Sequence, residues 1–197
     1  YGGRAADCPP PNPRLAAWWR EMNRVASDMA DFDLSLETTH HGPWIETPSM
    51  FIEIGSTAET WGHKDAAVIL AGIIYRGLGL DGNNGLGKWN GSGRVVVTLG
   101  GGHYAPRANM LGLHEEVWIG HMLATYALPF ERDDSGIISG LWENSIRKAI
   151  ASTKLAYPGG EVICSMDKKA FKGWQRQAIR DLLVELDVPL LKRAEII

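Results

Sequence analysis

Two histidine-bearing turns hold the residue types with the clearest chemical use in this chain: Thr39-His40-His41-Gly42-Pro43 and Gly100-Gly101-Gly102-His103-Tyr104-Ala105-Pro106. Each follows directly on a run that reads as a strand, and strand ends in open α/β sheets are where ligands and reacting groups collect. A histidine there is placed to act as a general base for hydrolysis or to hold a metal. The glycines ahead of His103 let the backbone approach a ligand closely, because no Cβ intervenes. Gly101 and Gly102 are therefore candidate sources of backbone N–H donors for an oxyanion. They lack Walker or dinucleotide spacing, which argues against a phosphate loop. Tyr104 adds a hydroxyl that would donate to a substrate or orient the imidazole.

On an unbroken strand His40 and His41 would point to opposite faces. His40 is in phase with Leu34, Leu36 and Thr38, and His41 with Ser35 and Glu37. Gly42-Pro43 then breaks the strand and would rotate His41 back toward the same pocket. The alternative is a core histidine beside a turn residue. With His103 and His121 also at or near predicted strand ends, a shared site is the stronger reading. Glu53, between Ile52 and Ile54, would be costly to bury unpaired. It should have a metal, a histidine, a basic side chain or backbone donors beside it, unless it is a strand-end glutamate that reaches solvent. Histidines and carboxylates spread over strand ends suit zinc. There is no His-x-x-x-His on one helix and no Cys cluster, so spacing leaves open a metal-free hydrolysis with one histidine as base. His63 and His114 read as exposed and receive no role.

A third constellation lies near the C-terminus. Lys168, Lys169, Lys172, Trp174 and Arg176 interleave cations with an aromatic, a combination suited to phosphate contact and base stacking. An amphipathic helix with Trp174 packed inward accounts for the same pattern. Arg107 and the Lys88-Trp89 pair are lesser candidates for RNA contact. Net charge is only −3, which argues against a general nucleic-acid binder. The distribution is uneven, however. Nine acidic residues between Glu21 and Asp65 face only Arg24 and Lys64, and eight basic residues between Arg147 and Arg180 face only Glu161 and Asp167. Such asymmetry puts a positive face on a near-neutral protein, or reflects two solvated helix faces of opposite sign.

These groups need a scaffold, and the patterning predicts one. The chain has 197 residues, 45% apolar and 22% charged, which suits one α/β domain over 1–197 with a sizeable core. Cys8 and Cys164 are too far apart to suggest a disulfide framework or zinc-finger spacing, so a reducing compartment is expected. No apolar run has bilayer-spanning length, and no membrane or DNA partner is expected. Asn12 and Pro13 predict a helix start, with apolar spacing from Leu15 to Met29. Strands are predicted at Asp33–Thr39, Met50–Ile54 (a central one), Arg94–Leu99, Val117–Leu123 and Glu161–Met166. Helices are predicted over Lys64–Leu78, Leu141–Ala156 and Gly173–Leu186. Alternation of strands and helices implies a layered α/β fold with a mostly parallel sheet.

Together with Phe51-Ile52-Glu53-Ile54-Gly55-Ser56-Thr57, the histidine turns resemble the signature of the archaeal and plant type of D-aminoacyl-tRNA deacylase. The resemblance runs from Tyr1-Gly2-Gly3 and Pro11-Asn12-Pro13-Arg14, through Gly87-Lys88-Trp89, to Phe171-Lys172-Gly173-Trp174-Gln175, and is closer to the plant branch. That family usually carries additional sequence ahead of the matched start, with further strands. The resemblance implies a phosphorylase/hydrolase-like three-layer sandwich. It also implies hydrolysis of the ester between a D-amino acid and tRNA, in a cytosolic quality-control role and as a monomer. His41, His103, Glu53 and Tyr104 would then be the catalytic group. Archaeal members are described as zinc enzymes, which implies Zn2+ at His40, His41, His103 and His121. Two rivals stay open: another tRNA- or ester-directed metallohydrolase, and a tRNA-binding module without catalysis.

Overall fold

The computed structural model describes residues 8–38 and 45–197. Its helices are α1 (Leu15–Ala26), α2 (Ala58–Trp61), α3 (Lys64–Gly77), α4 (Pro106–Leu111), α5 (Trp142–Ala156), α6 (Gly173–Glu185) and α7 (Arg193–Ile196). Its strands are β1 (Arg94–Leu99), β2 (Val117–Leu123), the short pair β3 (Glu131–Arg132) and β4 (Ile138–Ser139), and β5 (Glu161–Met166). β1 lies between β2 and β5 and is parallel to both. Parallel strands covered on both faces read as continuous apolar runs. Val95, Val96, Val97 and Leu99 are accordingly all at 0% exposure.

Each face of the sheet has its own helical layer. Val95, Val97, Leu99, Val162 and Cys164 pack with Trp142, Ile146 and Ile150 of α5 and with Ile179, Leu182 and Leu183 of α6. Val96, Val117, Ile119 and Ile163 pack on the other face with Ala16 and Trp19 of α1 and with Ala108 and Leu111 of α4. This is the expected three-layer α/β arrangement. Burying a large aliphatic side chain contributes roughly 1.5–3 kcal/mol, so these two clusters dominate stability. Tyr157, at the end of α5, donates its hydroxyl to the Ile119 carbonyl at 2.7 Å and ties that helix to β2.

Three predicted elements come out differently. Residues 33–38 keep the expected phase, with Leu36 and Thr38 buried, but join no strand ladder among the described residues. Their backbone is held by side-chain and turn groups instead: Leu36 N–H donates to Asn109 Oδ1 at 2.7 Å, and Thr38 N–H to the His103 carbonyl at 2.9 Å. Met50–Ile54 is not a central strand. β1 holds the central position, and β2 and β5 occupy its two edges. Phe51 is left 66% exposed. Finally, α1 begins at Leu15 and ends at Ala26, because Asn12 forms a turn ahead of it. Asn12 Oδ1 accepts from Arg14 N–H at 3.0 Å and its carbonyl accepts from Leu15 N–H at 3.1 Å.

Candidate functional site

Because β1, β2 and β5 are parallel, the segments leaving their C-terminal ends emerge at one edge of the sheet. Past Leu99 the chain turns through Gly100 and Gly101, at φ +87° and +89°. L-residues with a Cβ rarely adopt that region. A Cβ on Gly100 would also stand 2.6 Å from the Phe171 ring, so the turn is closed underneath as well. Gly100 N–H donates to the Leu123 carbonyl at 2.8 Å, and the Gly101 carbonyl accepts from both Thr125 N–H and Thr125 Oγ1, each at 3.0 Å. The turn after β1 is thereby fixed to the segment after β2. The His103 carbonyl holds Thr38, which brings in the extended segment.

His103 sits at the meeting point. Its Nδ1 is 3.3 Å from Tyr126 Oη, and Tyr126 Oη is 3.1 Å from Thr38 Oγ1. Its Nε2 lies 3.6 Å from Glu37 Oε1, and both side chains are about one-third exposed. The Tyr104 ring meets the imidazole edge-on at 5.0 Å between centroids. The N–H groups of Gly101 and Gly102 make no hydrogen bond with the described residues, and a Cβ on Gly102 would meet nothing within 4 Å. An imidazole, a neighbouring carboxylate and uncommitted backbone donors beside open space are the parts that ester hydrolysis uses. Glu37, Thr38 and Tyr126 escaped the sequence reading. The signal for Glu37 was its place in phase with His41. For Tyr126 it was a position just past β2, which parallel pairing brings beside the end of β1.

The other predicted residues are placed as follows. His40 and His41 lie outside the described residues. His121 is 4% exposed at an irregularity in β2, where Gly120 and His121 together stand opposite Val97. Its ring bonds to the Pro9 backbone, its Nε2 has no hydrogen-bond partner among the described residues, and burial pushes its pKa down to about 4. His121, Glu37, Thr38 and Tyr104 all line a cavity of about 870 Å3 whose apolar wall includes Trp19 and Leu36. Glu53 also lines it with its side chain exposed, which matches the alternative of a glutamate that reaches solvent and not that of a buried, partnered carboxylate. The reason is that its segment is not a sheet strand. Among the described residues no three His, Cys, Asp or Glu side chains gather as a metal site. Cys164 is no nucleophile, because burial pushes its thiol up to about 12.

Lys168, Lys169 and Lys172 are exposed on the turn after β5, at the same sheet edge as His103. Asp167 N–H donates to the Leu99 carbonyl at 2.8 Å and fixes that turn beside the glycines. The neighbouring candidates are more committed. Trp174 is half-buried, edge-on to Phe130 at 5.7 Å with Arg132 at 5.6 Å from its ring. Arg176 donates to the Lys168 and Phe171 carbonyls at 3.1 and 2.7 Å. Arg107 is half-buried with Nη1 3.3 Å from Ser165 Oγ. Trp89 donates to the Pro158 carbonyl at 2.9 Å and packs on Trp118 and Tyr157. Arg147, which adds to the basic count, is paired with Glu143 and Glu185.

Comparison with known proteins gives the family and the fold. A family model described as D-aminoacyl-tRNA deacylase matches residues 1–191. A D-aminoacyl-tRNA deacylase of Arabidopsis thaliana is 40% identical, over 93% of this chain and 62% of its own length. One from Pyrococcus abyssi is 34% identical, over 79% of this chain and 50% of its own. The chain thus spans less than two-thirds of the curated relatives it matches. A crystal structure of a conserved protein of unknown function superposes with a TM-score of 0.73 at 26% identity, covering 100% of this chain and 62% of that one.

The buried His121 gives stability a defined pH dependence. Its folded-state pKa of about 4 lies below the ordinary 6.5, so between those values the unfolded chain binds a proton that the folded one refuses. Stability should fall as pH drops from about 6.5 to about 4 and level off below. A tenfold difference in proton affinity is worth roughly 1.4 kcal/mol, so the loss from this residue is on the order of 3 kcal/mol. Urea unfolding with chelator present, compared with His121→Gln at each pH, should show the variant lacking this component. Parallel pH profiles would refute it.

Proposed function

The chain belongs to the D-aminoacyl-tRNA deacylase family, and we propose that it hydrolyses the ester joining a D-amino acid to the terminal adenosine of tRNA. The observation that carries the reading is His103 past the end of the central strand, beside the Gly101 and Gly102 N–H groups, which make no hydrogen bond among the described residues. Water attacks the ester carbonyl carbon while His103 Nε2 takes its proton. The carbonyl oxygen becomes an oxyanion held by the Gly101 and Gly102 N–H groups. As the C–O bond to the ribose breaks, His103 returns the proton to the ribose oxygen. The products are a free D-amino acid and tRNA with its hydroxyl restored. The Glu37 carboxylate, 3.6 Å from Nε2, stabilises the imidazolium formed in between. Tyr104, whose ring meets the imidazole, also lines the cavity, and its hydroxyl is assigned to the substrate.

Charge placement supports the same orientation. Asp31, Asp33, Glu37 and Glu53 line the cavity and suit the substrate's ammonium group, whereas Lys168, Lys169 and Lys172 follow β5 and suit its phosphates. Zinc belongs to the proposal through the donor chemistry of His121, whose buried, neutral Nε2, without a hydrogen-bond partner among the described residues, is in the state of an imidazole ligand. His40 and His41 would hold the ion with it, with His103 left as the base or, where it joins the ligands, giving up that role, and a bound zinc would supply Lewis-acid activation of water. No described helix is long and apolar enough to cross a membrane, and a cytosolic setting beside translation fits a tRNA substrate.

The reading predicts that D-tyrosyl-tRNA is hydrolysed far faster than L-tyrosyl-tRNA. A preference of ~1000-fold needs roughly 4 kcal/mol of differential transition-state binding, which misplacing the ester by about an ångström supplies. His103→Ala should lower kcat/KM at least ~100-fold at an unchanged unfolding midpoint. Equal D and L rates would remove the stereospecific assignment. Binding without hydrolysis would leave a tRNA-binding module, and full activity under chelation would leave the histidine mechanism without zinc. The lysines are tested separately. Changing Lys168, Lys169 and Lys172 together to Ala should flatten the salt dependence of tRNA binding, because fewer counterions are released. An unchanged slope would put the RNA surface elsewhere.

A further inference from the structure

We infer that Arg107 is a phosphate-binding residue: its half-buried guanidinium takes one backbone phosphate of the single-stranded acceptor end of tRNA and fixes where that strand crosses the sheet edge. The inference rests on the proposed tRNA substrate. Arg107 lies four residues past His103, in the first turn of α4, and its Nη1 is 3.3 Å from Ser165 Oγ. Ser165 is the next-to-last residue of β5 and stands opposite Thr98 of β1. The guanidinium is therefore tied to the end of the sheet from which the glycine turn and the lysine turn both leave.

What holds Arg107 is neutral. Ser165 is fully buried and its hydroxyl donates to the Leu191 carbonyl at 3.2 Å, so toward Arg107 it only accepts. Arg24, Arg76, Arg94 and Arg147 each meet a carboxylate, whereas Arg107 forms no ion pair among the described residues. Its Nε is buried without a hydrogen-bond partner. Nη2 also bonds to none of the described residues, but it is not sealed off, and is thus the open corner of the fork. A cation withdrawn from water without a counter-ion costs stability. With less water around it the charge is also weakly screened, so it acts strongly on an anion at that corner.

The surroundings select the anion. Lys168 and Lys169 follow β5 directly, and Lys192 follows the residue whose carbonyl Ser165 holds. All three are exposed and none is ion-paired among the described residues. Asp167, the carboxylate between Ser165 and those lysines, is turned to its own backbone, accepting from Lys169 N–H at 3.0 Å. A polyanion is drawn to such an edge, and phosphate oxygens are the acceptors that a guanidinium matches best. Exposed lysines attract without fixing a place. Arg107 fixes one, because one nitrogen rests on Ser165 while another meets the phosphate, a division that a lysine ammonium cannot make.

The test uses the intact protein and the trinucleotide CpCpA, the single-stranded end of tRNA, with the side-chain N–H signals of Arg107 followed by NMR. The signals should shift with CpCpA and not with adenosine, which carries no phosphate. Arg107→Lys should weaken CpCpA binding about 10-fold, the scale of one lost charge-assisted hydrogen bond. Arg107→Met separates a ligand's partner from a structural prop. Removing an unneutralised, half-buried cation should leave Tm unchanged or raise it, while CpCpA binding falls. Signals indifferent to CpCpA, or native CpCpA binding in both variants, would overturn the inference. An equal response to inorganic phosphate at the same concentration would make this a site for the free ion and overturn the RNA assignment. If the native protein does not hydrolyse D-tyrosyl-tRNA, the functional reading fails, and the CpCpA titration still decides the role of Arg107.

Discussion

The candidate site depends on one carbonyl. Gly101 O is held by the N–H and the hydroxyl of Thr125, each at 3.0 Å, just where β1 has run out of ladder partners. A central strand buried on both faces has to leave the core at its end without stranding polar backbone groups. Two glycines at positive φ make the exit sterically possible, and the end of β2 satisfies what they expose. Phe171 fills the space that a Cβ on Gly100 would need. With that exit fixed, His103, Thr38 and Tyr126 have few other places to be. Past that exit the N–H groups of Gly101 and Gly102 make no hydrogen bond among the described residues.

A second consequence is the grouping of unlike functions at one sheet edge. The turn after β1 carries the imidazole, the segment after β2 the phenol, and the segment after β5 the exposed lysines. On the side of α1, by contrast, the cavity is walled by aromatics and carboxylates and has His121 in its lining. An aminoacyl ester has matching halves, one cationic and partly apolar, the other polyanionic. The proposed reaction lies at His103, which Tyr104 and Glu37 of the cavity lining both face.

Much of this was legible in the sequence, for definite reasons. Arg94–Leu99, Val117–Leu123 and Glu161–Met166 match β1, β2 and β5 because strands buried on both faces announce themselves as apolar runs with sharp ends. The glycines before His103 were legible because only a special backbone requires them. Met50–Ile54 misled because an apolar run says nothing about whether a place in a sheet is vacant. Residues 33–38 kept their phase without a ladder, since alternation reports burial and not pairing. Glu37 and Tyr126 stayed hidden because their closeness to His103 depends on the register of parallel strands far apart in sequence. Tyr126 also carries no local pattern of its own. His121 was half legible: its place near a strand end was expected, while its complete burial follows from the irregularity at Gly120 that no pattern foretold.

The hydrolysis rate of D-tyrosyl-tRNA by Thr125→Val tests the dependence on that carbonyl most directly. The substitution preserves shape, keeps the backbone N–H bond to Gly101 O and removes only the hydroxyl bond. If that carbonyl sets the site, kcat should fall on the order of 10-fold while the protein stays folded, because a slackened turn misplaces both His103 and the oxyanion donors. A native rate in a Thr125→Val protein would contradict it, and would mean that the glycine turn holds its place without β2.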